Sequence, residues 1–176
     1  PVESGGGILV RNSSAIISDC TISNNMAGHG GGIQVNGGSP TITNCVLSGN
    51  EAGGKGGGIN VNNGSPTLTN CIISGNKANS LLRGGGGIHI RNASAIVTNC
   101  TISNNTANKG GGIYCEKQLS QSVPKITNCI FWEDTPYEIH NSCDDDFKVR
   151  YSDIQGGYTG EGKIGGDSED DHKFLS

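Results

Sequence analysis

Polar side chains of several chemical types follow successive Gly-Gly-Ile runs in this 176-residue chain. His89 and Arg91 follow one such run, and Tyr114 and Glu116 follow the next. Amide and guanidinium groups hydrogen-bond to hydroxyls, and an aromatic ring stacks on the apolar side of a sugar. The spacing therefore predicts a face that binds an extended carbohydrate chain. Its predicted ligand-binding residues are Asn60, Asn62, Arg83, His89, Arg91, Tyr114 and Glu116.

Two longer connections flank this face, namely residues 79–83 and 116–123. Insertions in repeat proteins tend to mark the binding side, so we expect the two segments to wall a groove. Leu81 and Leu82 in the first segment would then need a partner or a fold-back. The alternative interpretation is an ordinary solvent-exposed polar surface with neutral variation in its loops.

Catalysis is not predicted at this face. A glycoside hydrolase uses two carboxyl groups about 5–10 Å apart. Glu116 is the one carboxylate among the candidate residues. We therefore assign no catalytic residue from the sequence.

Acidic residues outside this face offer the only candidates for a metal. Asp144 and Asp146 belong to a run of three aspartates, and carboxylate oxygens suit Ca²⁺. No EF-hand spacing accompanies them, and a solvated acidic run is the alternative interpretation. We expect no cofactor, with Ca²⁺ at Asp144 and Asp146 as the one candidate.

The seven cysteines divide into a regular set of five and two others. No CxxC spacing is present, which argues against zinc. Five in-register cysteines on an inward ladder behave as small buried hydrophobic residues, and we expect them to remain thiols. A bridge between Cys115 and Cys143 is left open. The regular set is Cys20, Cys45, Cys71, Cys100 and Cys129.

A repeat positions all of these residues. Gaps of 25, 26, 29 and 25 residues separate five Gly-Gly-Ile runs. A period of this length is typical of a solenoid, in which each unit packs on its neighbours. The runs end at Ile8, Ile33, Ile59, Ile88 and Ile113.

The alternation of apolar residues within one period predicts three short strands. In the second period Ile33 and Val35 point inward, and Ile42 does so after a Gly-Gly-Ser-Pro turn. Asn44 then breaks the alternation, which indicates a bend with the asparagine in the left-handed region. Three strands and three turns in about 25 residues make one coil of a parallel β-helix.

Composition agrees with an all-β chain. Glycine contributes 30 residues and aromatic residues only 5%. The net charge of −4 and the lack of a basic stripe argue against nucleic acid as a partner. No apolar run approaches the roughly 20 residues that span a bilayer.

The predicted β-helix domain covers residues 1–157 and contains about six coils. In the last and less regular coil, Ile139, Val149 and Ile154 match inward residues of the fifth. Residues 158–176 are rich in glycine and acidic side chains and are predicted to form an extended or mobile tail.

The repeats resemble those of the right-handed parallel β-helix proteins of the pectate-lyase-like superfamily. They are most similar to surface proteins with repeats like those of polymorphic outer-membrane proteins, in which a Gly-Gly-Ala/Gly-Ile element alternates with Phe-x-x-Asn. The first element stands here as Gly31-Gly32-Ile33 and Gly57-Gly58-Ile59. The second reads Ile22-Ser23-Asn24-Asn25, with an aliphatic residue in place of phenylalanine.

This resemblance implies an all-β, right-handed, single-stranded solenoid with a period of about 25 residues. It also implies an extracellular or cell-surface location and a groove on the sheet made by the first strand of each coil. We expect a non-catalytic scaffold for adhesion or carbohydrate binding, with a polysaccharide or a host or cell-surface component as partner. The alternative is a fragment of a polysaccharide lyase, epimerase or hydrolase, with Arg91 as its candidate base. A lyase of this kind needs acidic calcium ligands, and none neighbours Arg91.

The first coil has no apolar residues before Gly5 that would cover its open strand edges. Terminal repeats of solenoids usually carry such a cap. We therefore expect adjoining domains or end-to-end stacking of copies.

Overall fold

The structure is a computed structural model that describes residues 4–116, 123–143 and 147–155. The predicted tail, residues 158–176, lies outside the described residues. Within the described residues the regular structure consists of 21 short β-strands and no helix. The chain there has no helical segment of the length and apolarity that a bilayer crossing requires.

The strands follow one another coil by coil. The first coil contains β1 (Ile8–Arg11), β2 (Ile16–Ser18), β3 (Thr21–Ser23) and β4 (Met26–Ala27). The second contains β5 (Ile33–Asn36), β6 (Thr41–Thr43), β7 (Val46–Ser48) and β8 (Glu51–Ala52). The third contains β9 (Ile59–Gly64), β10 (Thr67–Thr69), β11 (Ile72–Ser74) and β12 (Lys77–Ala78). The fourth contains β13 (Ile88–Ala93), β14 (Ile96–Thr98) and β15 (Thr101–Ser103). The fifth contains β16 (Ile113–Glu116), β17 (Lys125–Thr127) and β18 (Ile130–Trp132). The last contains β19 (Ile139–Ser142), β20 (Lys148–Arg150) and β21 (Asp153–Ile154).

Equivalent strands of successive coils pair in parallel and in register. Three sheets of six strands result, of which the first runs β1-β5-β9-β13-β16-β19. The predicted isoleucine ladder is confirmed, because Ile59 pairs with Ile33 and Ile88, and Ile113 pairs with Ile139. The chain thus forms an all-β parallel solenoid of about five turns with a period of about 26 residues. A short fourth sheet, β12-β8-β4, was not predicted from the sequence.

The core is a column of aliphatic side chains that point inward from the three long sheets. Ile33, Ile59 and Ile88 are fully buried, as are Leu47 and Ile73 on the third sheet. Like residues stack on like, so each coil presents the next with a surface of the same shape. Alternation with a period of two residues therefore predicted the inward side correctly.

Left-handed residues make the bend between the second and third strands of each coil. Asn44, Asn70 and Asn99 have φ of 53°, 55° and 54°, and Asp19 and Asn128 have φ of 54°. These bends were predicted, because asparagine and aspartate tolerate positive φ. Asn44 Nδ2 donates to Asp19 Oδ1 at 3.1 Å, so the first of these side chains also bond along the axis.

A second asparagine ladder lies inside the solenoid and was missed in the sequence. Asn50, Asn76 and Asn105 are buried at the end of each third strand. Each bonds to the equivalent residue of the next coil, ending at Asp134. Buried backbone groups must find partners, and these amides supply them where the chain turns.

The cysteines divide as the sequence suggested. Cys20, Cys45, Cys71, Cys100 and Cys129 are free thiols, and all except Cys20 are buried. Cys115 and Cys143 form a disulfide with their Cα atoms 5.5 Å apart. This bridge, which the sequence left open, joins the fifth coil to the last.

Candidate functional site

The candidate residues meet on the outer side of the first sheet, called here the first-strand face. His89 on β13 pairs with Asn60 on β9 and with Tyr114 on β16. Two residues later along the same strands, Arg91 pairs with Asn62 and with Glu116. In-register stacking thus brings six of the seven predicted residues into one patch, and Arg83 reaches it from the preceding turn.

Glu116 is the centre of the charged part of this patch. Lys55 Nζ donates to its Oε2 at 2.9 Å, and Arg83 Nη1 donates to its Oε1. His89 Nε2 lies 3.2 Å from Oε2, and Arg91 Nε lies 4.0 Å from Oε1. Three cations and one histidine therefore surround a single carboxylate.

Lys55 was missed in the sequence, although it makes one of the shortest contacts to Glu116. It precedes the Gly56-Gly57-Gly58 turn of the third coil, whereas Glu116 belongs to the fifth. The available signal was the recurrence of basic residue types directly before the glycine turns, at His29, Lys55 and Lys109. A contact across 61 residues depends on how far a lysine side chain extends, which the repeat pattern does not specify.

The electrostatics keep Glu116 ionised. Burial by itself raises the pKa of this carboxyl, but hydrogen bonds from His89 and Lys55 and the charge of Lys55 outweigh burial and lower the pKa to about 2. Burial lowers the pKa of His89, with the hydrogen bond to Glu116 opposing the shift. A neutral His89 beside a carboxylate must carry its proton on Nε2, which donates to Glu116 and leaves Nδ1 as an acceptor.

Tyr114 does not present a free ring as the sequence led us to expect. Its side chain is 6% exposed and lies between two histidine rings. The ring centroids are 5.4 Å from His89 and 5.0 Å from His140, with interplanar angles of 25° and 19°. His140 was missed, although the match of Ile139 to Ile113 placed it beside Tyr114. The expected stacking surface is thus occupied by the protein's own rings.

Amides continue the patch toward the N-terminal coils. Asn60 Nδ2 donates to Gln34 Oε1 at 2.8 Å, and Gln34 Nε2 donates to Asn36 Oδ1 at 2.6 Å. Asn60 Oδ1 and His89 Nδ1 are buried without a hydrogen-bond partner among the described residues. Two neighbouring strands therefore each hold a buried acceptor without a hydrogen-bond partner among the described residues.

A small cleft of about 80 Å³ lies between the amides and the charged cluster. This volume admits several water molecules or part of a sugar ring, but not an extended chain. Four of the seven predicted residues line it, together with two residues that were not predicted. The lining residues are His29, Lys55, Asn60, Asn62, His89 and Arg91.

Comparison with known proteins identifies the fold family. The family described as right-handed β-helix region matches residues 6–166, most of the chain. The chain belongs to this right-handed β-helix family. The match confirms the resemblance noted in the sequence and gives the solenoid its hand. No curated protein and no solved structure matches the chain significantly.

The two predicted insertions of this β-helix differ in how far the structure describes them. The 79–83 segment delivers Arg83 to Glu116, while Leu81 and Leu82 stand 87% and 77% exposed. In the other insertion, residues 117–122 lie outside the described residues. The predicted groove with two walls is therefore described on one side only.

Metal binding at the predicted aspartates has no structural description here, because Asp144 and Asp146 lie outside the described residues. Within the described ranges, no three His, Cys, Asp or Glu side chains cluster in a way that would hold a metal ion. At the cleft itself the arrangement offers cations and hydrogen-bond acceptors, which suits a polar organic ligand.

Proposed function

We propose that this β-helix is a non-catalytic scaffold, extracellular or on a cell surface, that binds carbohydrate through the cleft on its first-strand face. The observation that carries the proposal is the pair of unpartnered acceptors, Asn60 Oδ1 and His89 Nδ1, on adjacent strands that line one cleft. A sugar supplies neighbouring hydroxyl donors. Donors that meet buried free acceptors gain hydrogen bonds that those acceptors otherwise lack.

The positive charges at the cleft support binding of a sugar unit that carries an acidic group. Lys55 and Arg91 line the cleft, and both lie within 4.0 Å of the carboxylate of Glu116. An anionic substituent beside the hydroxyls would therefore meet the two cations that line the cleft. The small volume limits recognition to one unit, so a longer chain would run over the surface beyond the cleft.

The Cys115–Cys143 disulfide supports the proposed location. Disulfides persist in secreted and surface proteins and are rare where glutathione keeps thiols reduced. Four of the five free thiols are buried in the core, which protects them from oxidation in the same environment.

A polysaccharide array with the intact chain tests the proposal. Arg91→Ala removes a cation from the cleft, and Arg11→Ala is the matched control because Arg11 occupies the same strand position in the first coil. We expect retention of at least one polysaccharide, a roughly tenfold or greater loss with Arg91→Ala and no change with Arg11→Ala. Equal retention by both variants, at equal melting temperature, would place the ligand elsewhere, and no retention by the unaltered chain would reject carbohydrate binding.

The same array separates binding from catalysis. A hydrolase needs a second carboxyl group, and Glu116 is held as a carboxylate by its cationic neighbours, so it has no proton to donate near neutral pH. Shortened or unsaturated products would nevertheless establish the lyase, epimerase or hydrolase alternative and reject the non-catalytic one.

A further inference from the structure

The internal asparagine ladder follows one hydrogen-bonding rule through the middle of the solenoid. The Oδ1 atom of Asn76 accepts from both the backbone N–H and the Nδ2 of Asn50, at 2.9 Å and 3.0 Å. Its own Nδ2 donates back to the carbonyl oxygen of Leu47 at 2.9 Å. Asn105 repeats the pattern with Asn76 and Ile73. Each step therefore uses an amide as acceptor and donor at once.

The ladder ends on a carboxyl group in place of an amide. Asp134 Oδ1 accepts from the N–H and the Nδ2 of Asn105 at 2.7 Å and 2.8 Å, as an asparagine would. Asp134 Oδ2 lies beside Gly112, just as Asn105 Nδ2 lies beside the equivalent Gly87. An oxygen thus stands where every earlier coil has an NH₂ group. This Oδ2 is buried with no hydrogen-bond partner among the described residues.

Glu138 takes the place of the next ladder residue. In the register of the first sheet it corresponds to Gly112, since Ile139 pairs with Ile113. The backbone N–H of Asp134 points to its Oε2 and Oε1 at 3.3 Å and 3.4 Å, where earlier coils have the Oδ1 of the following asparagine. In the earlier coils, the asparagine whose backbone N–H donates to such an acceptor also donates its side-chain Nδ2 to it. Asp134 can do so only when the two carboxyls share a proton.

We propose that Asp134 and Glu138 hold one proton between them, and that this shared proton closes the C-terminal end of the asparagine ladder. Both side chains are more than nine-tenths buried. Two adjacent buried carboxylates would repel each other and lose their hydration, so one proton is retained. The proposal does not depend on the function of the cleft.

Among the described residues, the groups beside the pair in sequence are exposed or engaged elsewhere. Lys109 is exposed in the glycine turn before β16, Glu133 is exposed next to Asp134, and Tyr137 is exposed next to Glu138. His140 follows on β19 and stacks on Tyr114. Within the described part of the chain, neither carboxyl takes part in a salt bridge.

The pKa shifts of Asp134 and Glu138 agree with a shared proton. Burial raises the pKa of both carboxyls, and the hydrogen bond and charge of Asp134 help to raise that of Glu138 to about 8. A carboxyl whose pKa is higher in the folded state contributes stability that is complete below its unfolded pKa. That contribution is lost as pH rises through the folded pKa. The window of loss therefore lies between the ordinary pKa of glutamate and about pH 8.

Loss of the proton would act on the last coil. The carbonyl oxygen of Glu138 accepts from the N–H of Ile113 at 2.9 Å, directly before β19. β19 also carries His140, whose ring covers Tyr114. Rising pH would therefore loosen the last coil and the aromatic end of the first-strand face together.

Hydrogen exchange read by mass spectrometry on the full chain between pH 5 and pH 9 tests this. After correction for the intrinsic exchange rate, we expect protection of a peptide spanning 134–143 to fall about tenfold per pH unit up to about pH 8. A peptide spanning 59–64 in the third coil serves as the internal reference and should keep its protection. Asp134→Asn supplies a neutral amide, and it should stay protected at every pH. Glu133→Gln, at an exposed neighbouring carboxyl, should behave as the unaltered chain.

Flat protection of the 134–143 peptide in the unaltered chain would overturn the proposal, as would a pH slope that survives in Asp134→Asn. Glu138→Gln is the second variant, in case Asp134→Asn does not fold. It replaces the other carboxyl by an amide whose NH₂ group can donate to an ionised Asp134, and the slope must disappear there too. A slope that persists in Glu138→Gln would assign the titration to another group and reject the pair.

Discussion

Glu116 shows how a single residue can organise the outer face of a sheet. Side chains that point outward from a small solenoid are exposed to solvent when each lies above its own strand. Here Lys55 and Arg83 extend from turns in the third and fourth coils toward one carboxylate in the fifth. Glu116 is buried among these cations, and Tyr114 is buried between two histidine rings. A charged cluster therefore forms the centre of this part of the first-strand face.

Replacing Glu116 by glutamine tests this organisation. The pKa of Glu116 is about 2 in the folded chain and ordinary in the unfolded chain. Its stabilisation is therefore present above pH 4.5 and is lost as pH falls from there toward 2. We expect Glu116→Gln to lower the free energy of unfolding at pH 7 by about 2 kcal/mol and to match the unaltered chain near pH 2. Urea unfolding at a series of pH values measures both.

Glu51→Gln is the control for this comparison. Glu51 is a partly exposed glutamate that accepts a hydrogen bond from the side chain of Asn79. It should change the free energy of unfolding by less than about 0.5 kcal/mol. An equal effect of both substitutions would show that Glu116 acts as an ordinary surface charge.

At the scale of elements, the glycine turn before each first strand sets the distance between coils. Gly32, Gly58 and Gly87 lie against the backbone of the following coil, and a Cβ atom at Gly58 would stand 2.7 Å from the carbonyl oxygen of Gly87. Real side chains do not approach a backbone oxygen that closely. The same turn holds the internal asparagine ladder, since Asn76 lies 3.2 Å from that Cβ position. The repeat of glycines is therefore a packing requirement.

Gly58→Ala should consequently push two coils apart. We expect a loss of roughly 1–3 kcal/mol in the free energy of unfolding, because the backbone cannot move aside as a flexible side chain would. Gly53→Ala is the matched control, since the nearest atom to its Cβ position lies 3.8 Å away. Thermal unfolding of the two variants decides the matter. Similar melting temperatures would mean that the coils tolerate the added methyl group.

Elements were easier to predict than the surroundings of the site, for a physical reason. The inward ladders follow from alternation along one strand, and the bend at Asn44 follows from the conformational range of a single residue type. The surroundings of the buried His89 depend instead on side chains from another coil, such as Tyr114 and Glu116. The internal ladder was missed for a related reason. Asn24 and Asn25 are adjacent, and only the turn geometry decides that Asn24 takes φ of 55° while Asn25 bonds along the ladder.

At the scale of the whole molecule, the strands of each coil pair only with those of the adjacent coils, so stability is distributed along the axis and an end can open by itself. The C-terminal end departs from the repeat most. Its glycine turn is replaced by a shorter segment ending in Glu138, and Asp134 ends the internal ladder. The disulfide between Cys115 and Cys143 crosses this same boundary. A covalent link and a proton-linked pair thus act on one junction, where the internal asparagine ladder ends.

Removing the disulfide should release this junction and leave the central coils intact. A bridge that closes a separation of 28 residues contributes about 2–4 kcal/mol in the chain-entropy view, and in a solenoid that loss stays local. We expect Cys115→Ala combined with Cys143→Ala to expose the last coil to limited proteolysis while the 59–64 strand stays protected. Cys100→Ala, at a free buried thiol in the fourth coil, is the control and should not sensitise the C-terminal end. Alkylation of the unfolded, unreduced chain should modify five cysteines, and seven only after reduction. Modification of all seven without a reductant would show that the bridge does not form, and the junction would then depend on strand pairing and on Asp134 and Glu138.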